Sequence, residues 1–208
     1  MKSPTNITLL SRTIKQRTAN GTEQIVVYQP GIGTNYGWMT RVAAGAFGEG
    51  LLEDIREAYG FIVHNWMPGD EFPLQKMDSM LISRIYLFGF SRGAYTARAT
   101  AGIICKFGLL TKRGMDGIAE VLDAYGKHQL EDPTIVAGLA AKYERRSDTP
   151  PPIKFVGVWD TVGSLGIPDL YVLGMRATLF DSVLAKINEK YQFANTDLHP
   201  NIEFAFHA

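Results

Sequence analysis

In the stretch Ile85 to Gly108, IYLFGFSRGAYTARATAGIICKFG, one serine stands between two glycines where a β-like run passes into a helix-like one. A hydroxyl carried on such a turn stands clear of the sheet. Its chemistry is attack on an acyl carbonyl once a neighbouring base takes its proton. Gly89 and Gly93, two before and two after Ser91, lack the Cβ atoms that would meet the adjoining helix and strand. The backbone N–H of Arg92 would open the helix, where the positive end of the helix dipole helps to hold an oxyanion. The plainer role for Ser91 is that of a helix-capping residue.

A serine nucleophile of this kind needs an acid and a histidine. Asp160 follows the strand-like run IKFVGVW, and hydrolases with a serine on such a turn place their acid after a later strand. Its alternative is a turn cap in DTVG. His64 and His128 precede the acid on helical or linker segments, where a packing or solvated role suits them better, and His199 reads as a loop residue before proline. His207 has the right chain order for the base but is the penultimate residue. Gly31 and Gly33, in GIGTNYG, miss the dinucleotide fingerprint by one position, and no Walker lysine follows. A tight loop bordering the serine pocket is the more economical reading.

These residues need a framework to hold them, and the composition allows one. The chain has 208 residues, 46% of them hydrophobic, which suits a single domain with a substantial core. Twenty-one basic residues balance 21 acidic ones without a Lys/Arg block, so no nucleic-acid groove or anionic membrane surface is marked. The single cysteine, Cys105, sits in a small, apolar helical stretch and reads as a buried hydrophobe. No secretory signal and no apolar run of about 18 residues is present, so the expectation is a soluble, cytoplasmic protein with no transmembrane segment.

Along the chain, Ser3-Pro4 predicts a helix start, with Ile7, Leu10 and Ile14 at helical spacing and an end near Gly21. QIVVY, Gln24 to Tyr28, reads as a buried strand. Leu51, Ile55, Tyr59 and Ile62 trace one face of a helix from Glu49 to about Trp66. RIYLF is a second buried strand, followed by a helix with Ala94, Ala97 and Ala101 on one side. Further helices follow through Ile118, Val121, Leu122 and Tyr125, and from an Asp132-Pro133 cap to about Arg146. IKFVGVW, Ile153 to Trp159, is the third strand, and a last helix spans Thr178 to Lys190. Alternating strands and helices predict an α/β fold, a mainly parallel sheet with helices on both faces and its ligand chemistry at the carboxyl ends of the strands.

Taken together, VVYQPGIGTN, LFGFSRGAYTARATAGII, GLLTKRGM, FVGVWDTVGSLGIP and NTDLHPNIEFAFHA resemble one family. It is the α/β-hydrolase-like catalytic domain of type VI secretion phospholipase effectors, long catalogued as a domain of unknown function. The resemblance runs across almost the whole chain, read as one domain over 1–208. It implies a serine hydrolase acting on ester bonds, with an acyl ester or lipid as substrate and neither metal nor organic cofactor. By position it assigns Ser91 as nucleophile and Asp160 as acid. Three departures stand out. Family members begin with a strand ending in an F-D-G-T-like sequence, which this chain lacks. They also continue past AFHA to a glycine-rich loop bearing H-S-D-V-G-G-G, whose histidine is the family's base; His207 corresponds to a different, upstream one. Finally, FPLQKMDSMLISR, Phe72 to Arg84, intervenes before the serine strand as an insertion, either a retained untranslated-type segment or a surface loop. The expected fold is thus incomplete at both ends, and the rival to an esterase is an inactive fragment or binding module of the same fold.

Overall fold

The computed structural model describes residues 4–30, 47–66, 83–90, 92–159 and 198–208. Ser91, Asp160, Gly31, Gly33, the 178–190 helix and most of the 72–84 insertion lie outside the described residues.

Among the described residues, three parallel strands form the sheet. Strand β1 (Ile85–Phe90) pairs with β2 (Ile153–Trp159), and β2 pairs on its other side with β3 (Ile202–His207). Because all run the same way, their carboxyl ends share one edge. Helix α1 is Asn6–Thr13, α2 is Phe47–Asn65, α3 is Arg92–Phe107, α4 is Ile118–Gly126 and α5 is Pro133–Lys142, with short 3-10 turns at Gly114–Gly117 and Gln129–Glu131. The α/β class expected from the alternation of apolar runs is the class found. Among the described residues no helix is long and apolar enough to cross a membrane.

Helix α3 organises the core. It packs against β1 and β2 on one side and α2 on another, with α4 also touching it. Ala94, Ala97, Ala99, Ala101, Ile103, Ile104, Cys105 and Phe107 are all buried, so the helix is covered around most of its circumference. Its small residues let backbones approach closely. Helix α2 answers with Leu51, Ile55, Tyr59, Ile62 and Val63, the predicted stripe extended by one position.

A buried tyrosine ties these layers together. Tyr59 donates its hydroxyl hydrogen to the Gly108 carbonyl at 2.8 Å and accepts from the Leu110 amide at 2.9 Å. It thereby satisfies two backbone groups just past the end of α3. Burial pushes the phenol well above its ordinary pKa, only partly offset by the Leu110 hydrogen bond and the Arg145 charge.

Three boundaries differ from expectation, each for a local reason. Helix α1 is capped by Thr5, whose hydroxyl accepts from the Thr8 amide at 3.3 Å, rather than by Ser3. It ends at Thr13, not Gly21, since Thr18 turns the chain back by bonding Thr22 through both its amide, at 2.9 Å, and its hydroxyl, which accepts from the Thr22 amide at 3.0 Å. Helix α5 begins as predicted, with Asp132 accepting from the Thr134 amide at 2.8 Å, but stops at Lys142. Beyond it Glu144 and Arg146 are drawn into backbone bonds with Thr111 at 2.9 Å and Leu109 at 2.8 Å.

The QIVVY expectation is corrected more deeply. Gln24–Tyr28 joins no ladder with the described strands, and Ile25, Val26 and Val27 are 59%, 44% and 48% exposed. Side chains hold the segment and its neighbour instead. The Thr8 hydroxyl donates to the Tyr28 oxygen at 2.8 Å, and Gln29 donates to the Asp54 carbonyl of α2 at 3.0 Å. Strand propensity measures fit to a pleated, half-buried surface, and an apolar β-branched run without a paired neighbour is not a strand.

Tyr59→Phe should leave the Gly108 carbonyl and Leu110 amide buried without their partner and lower stability by about 3 kcal/mol in urea unfolding. Cys105 is buried and its thiol is pushed up to about 12 by desolvation. It should therefore resist iodoacetamide at pH 8 in the native protein and react once the chain is unfolded.

Candidate active site

Strand β1 ends at Phe90 and helix α3 begins at Arg92, leaving Ser91 as the single residue between them. So sharp a reversal brings the first turn of α3 down onto the strand end. A Cβ added at Gly89 would lie 2.5 Å from Ala94 Cα and closer still to the Gly93 carbonyl, and both are backbone atoms that cannot step aside. Glycine is therefore required at Gly89. Gly93 differs: a Cβ there meets no described atom within 4 Å. The close approach explains the first glycine of the motif and not the second.

The parallel register sets the other strand ends beside this turn. Phe90 pairs with Trp159, so Ser91 and Asp160 are the residues that next follow two matched strand ends. The first turn of α3 carries no acidic side chain to offset the positive end of the helix dipole.

The histidines are spread widely. His64 closes α2, with Nδ1 2.7 Å from the Gly60 carbonyl, and His128 occupies a left-handed turn with φ 57°. His199 lies just before the amino end of β3, its Nδ1 accepting from the Asn201 amide at 3.2 Å. His207 is the one of the four placed at the carboxyl end of a strand. It pairs with Val158, which pairs in turn with Gly89. Three residues thus form a row across the sheet, with His207 about 10 Å from Gly89 at the usual strand spacing.

Residues 1–208 match the family described as T6SS phospholipase effector Tle1-like, catalytic domain. The chain belongs to that family. It is also similar to the uncharacterized protein YEL023C of Saccharomyces cerevisiae, 30% identical over 182 residues that cover 78% of this chain and 24% of the yeast protein. The chain thus spans about a quarter of the length of that relative. No solved structure matches.

One face of the Tle1-like domain's sheet escaped the motif reading. In register, Tyr86, Phe88 and Phe90 of β1 share a side with Phe155, Gly157 and Trp159 of β2 and with Phe204 and Phe206 of β3. Phe88 lies 5.3 Å from Phe155 and 6.4 Å from Trp159 between ring centroids, and Phe155 lies 5.9 Å from Phe206. Gly157 makes the room, for a Cβ there would fall 2.7 Å from the Phe155 ring and 3.0 Å from that of Phe88. Alternation of aromatics in IYLFGF, IKFVGVW and IEFAFH is the signal that could have found it.

A cleft of about 520 Å³ lies elsewhere, lined by Ser11, Ile14, Arg17, Glu23 and Val26 among others, and none of its lining residues belongs to a strand end. Among the described residues, no group of three His, Cys, Asp or Glu side chains gathers to hold a metal.

Gly89→Ala should force strand and helix apart, giving an unfolded or strongly destabilised protein, by about 3 kcal/mol or more. Gly93→Ala should be neutral or stabilise by up to about 1 kcal/mol, since alanine in a helix loses less backbone entropy than glycine. Thermal unfolding of the two variants side by side checks both.

Proposed function

We propose that this chain is a serine ester hydrolase of phospholipase or lipase type, with Ser91 as nucleophile, Asp160 as the acid that orients the histidine, and the Arg92 N–H as an oxyanion donor. The single observation that carries the proposal is the reversal from β1 to α3 across Ser91, with the first turn of the helix pressed on Gly89. Membership of a phospholipase effector family supports an acyl ester substrate.

In this reading Ser91 Oγ attacks the acyl carbonyl carbon while a histidine takes its proton. The tetrahedral oxyanion is held at the amino end of α3, where the helix dipole and a free first-turn amide lower its energy. Collapse breaks the ester C–O bond, and the departing alcohol leaves with the proton from the imidazolium. Water then repeats the sequence on the acyl-enzyme and returns the serine. The residues assigned to this chemistry call for neither metal nor organic cofactor.

His207 is the candidate base with the right chain order. Its position across β2 from β1 favours a second reading, a non-catalytic binding module of the same fold, because a base must reach both serine and acid.

Labelling the purified 208-residue chain with a fluorophosphonate probe separates the two readings. A hydrolase should label on one serine, and Ser91→Ala should abolish the signal in a folded sample. His207→Ala should slow labelling by at least about a hundredfold if His207 is the base, and leave it unchanged if it is not. A folded wild-type chain that takes no label at Ser91 sinks the enzyme reading.

A further inference from the structure

We propose that Thr149 is a phosphorylation site for a proline-directed protein kinase, and that the phosphate, once attached, is held by Arg145. Residues 147–152 lie between α5 and β2 on a stretch fastened at both ends. Upstream, the Arg146 amide donates to the Leu109 carbonyl at 2.8 Å. Downstream, Pro151 is buried and β2 starts at Ile153. Between these fixed points Ser147, Asp148 and Thr149 are exposed and belong to no helix or strand. A kinase takes its substrate segment extended, and this one is set for that: a residue before proline is pushed toward extended backbone, and the three prolines that follow Thr149 hold a polyproline shape. The sequence has one other serine or threonine directly before a proline, Ser3.

Two arginines decide both the class of kinase and the fate of the phosphate. Arg146 stands three residues before Thr149 and Arg145 four, where a kinase that reads basic side chains would look for them. Both are turned onto the core instead. Arg145 donates to the Phe107 carbonyl at the end of α3 at 3.0 Å, with its guanidinium 5.5 Å from the Phe107 ring centre, and Arg146 donates to the Val63 carbonyl in the last turn of α2 at 2.8 Å. The proline is what remains to be read. Arg145 Nη2 also donates to Asp148 at 3.3 Å, and because the Asp148 side chain is fully exposed that bond is long and well screened. A phosphate on the next residue brings about two negative charges and several strong acceptor oxygens, which a guanidinium fork binds more tightly than one carboxylate. In the transfer, Thr149 Oγ1 attacks the γ-phosphorus of a nucleoside triphosphate and forms the new P–O bond. The bond from that phosphorus to the β–γ bridging oxygen breaks, the nucleoside diphosphate leaves, and the hydroxyl proton passes to the carboxylate base of the kinase. Nη1 keeps the Phe107 carbonyl while Nη2 exchanges Asp148 for the phosphate. The modification thus ties the 147–149 stretch to the carboxyl end of α3 and draws on none of the serine chemistry.

Incubating the folded 208-residue chain with a purified proline-directed kinase and a nucleoside triphosphate, followed by mass-spectrometric mapping, tests the site, and phosphorus NMR of the product tests the partner. Phosphate is expected on Thr149, and Thr149→Val should remove it. The second phosphate pKa, about 6 in an unfolded chain, should fall by about half a unit or more in the folded one, since a neighbouring cation favours the dianion. Arg145→Gln should abolish that fall. If Arg145→Gln unfolds the chain, Asp148→Ala takes its place: removing an exposed, competing carboxylate should deepen the fall. A folded chain that takes no phosphate at Thr149 overturns the proposal, and so does a phosphothreonine that titrates alike in folded and urea-unfolded protein. A fall that survives Arg145→Gln, or that Asp148→Ala leaves unchanged, overturns Arg145 as the partner and the proposal with it.

Discussion

The contact between Gly89 and the first turn of α3 is the constraint on which the rest of this structure turns. A parallel strand and the helix after it can be separated by a single residue only if the helix backbone comes within van der Waals range of the strand, and here it meets the strand at a position with no Cβ. That approach aims the amino end of α3 at the carboxyl edge of the sheet. It also decides which face of the sheet α3 covers, because Gly89 shares its side with Leu87, Val156 and Val158.

The core is arranged to keep that helix from moving. Alanines on α3 allow sheet and helix to approach, larger residues of α2 fill the opposite side, and Tyr59 pins the chain beyond α3 by bonding Gly108 and Leu110. Arg145 adds a third fastening, donating to the Phe107 carbonyl at 3.0 Å with its guanidinium 5.5 Å from the Phe107 ring centre. The carboxyl end of α3 is thus held by contacts whose partners come from distant parts of the chain, while its amino end is fixed by the neighbouring strand at Gly89. The junction between β1 and α3 gains from such support, because its precision is limited by the least rigid element attached to it.

The two faces of the sheet are built by different means. Toward α3 the strands present small and branched residues that interlock with alanines. Toward the other side they present rings, with Gly157 leaving space for Phe88 and Phe155 to lie together. From Tyr86 and Phe155 onward, beyond a register shift at Ile85, a period of two shared through the parallel register separates these sets. His207 takes its place by the same rule, on the side of Val158 and Gly89.

The sequence alone determined the elements that depend on near neighbours: the stripe of α2, the small-residue helix α3, the Asp132-Pro133 cap, the strands β1 and β2, and the serine bracketed by glycines. Periodicity, capping and turn chemistry are local, acting over a few residues, and so they are legible in a one-dimensional string. The tertiary structure alone decided what depended on partners remote in the chain. QIVVY has a strand's composition but no ladder among the described strands, and α5 loses its last turn to bonds with the segment after α3. Gly89 and Gly93 read alike in the motif, yet only at Gly89 does backbone close in from the next element. His207 had the right order along the chain, while its distance from β1 was set by which strands lie side by side, and strand order in a sheet is a property of long-range pairing that no local pattern encodes.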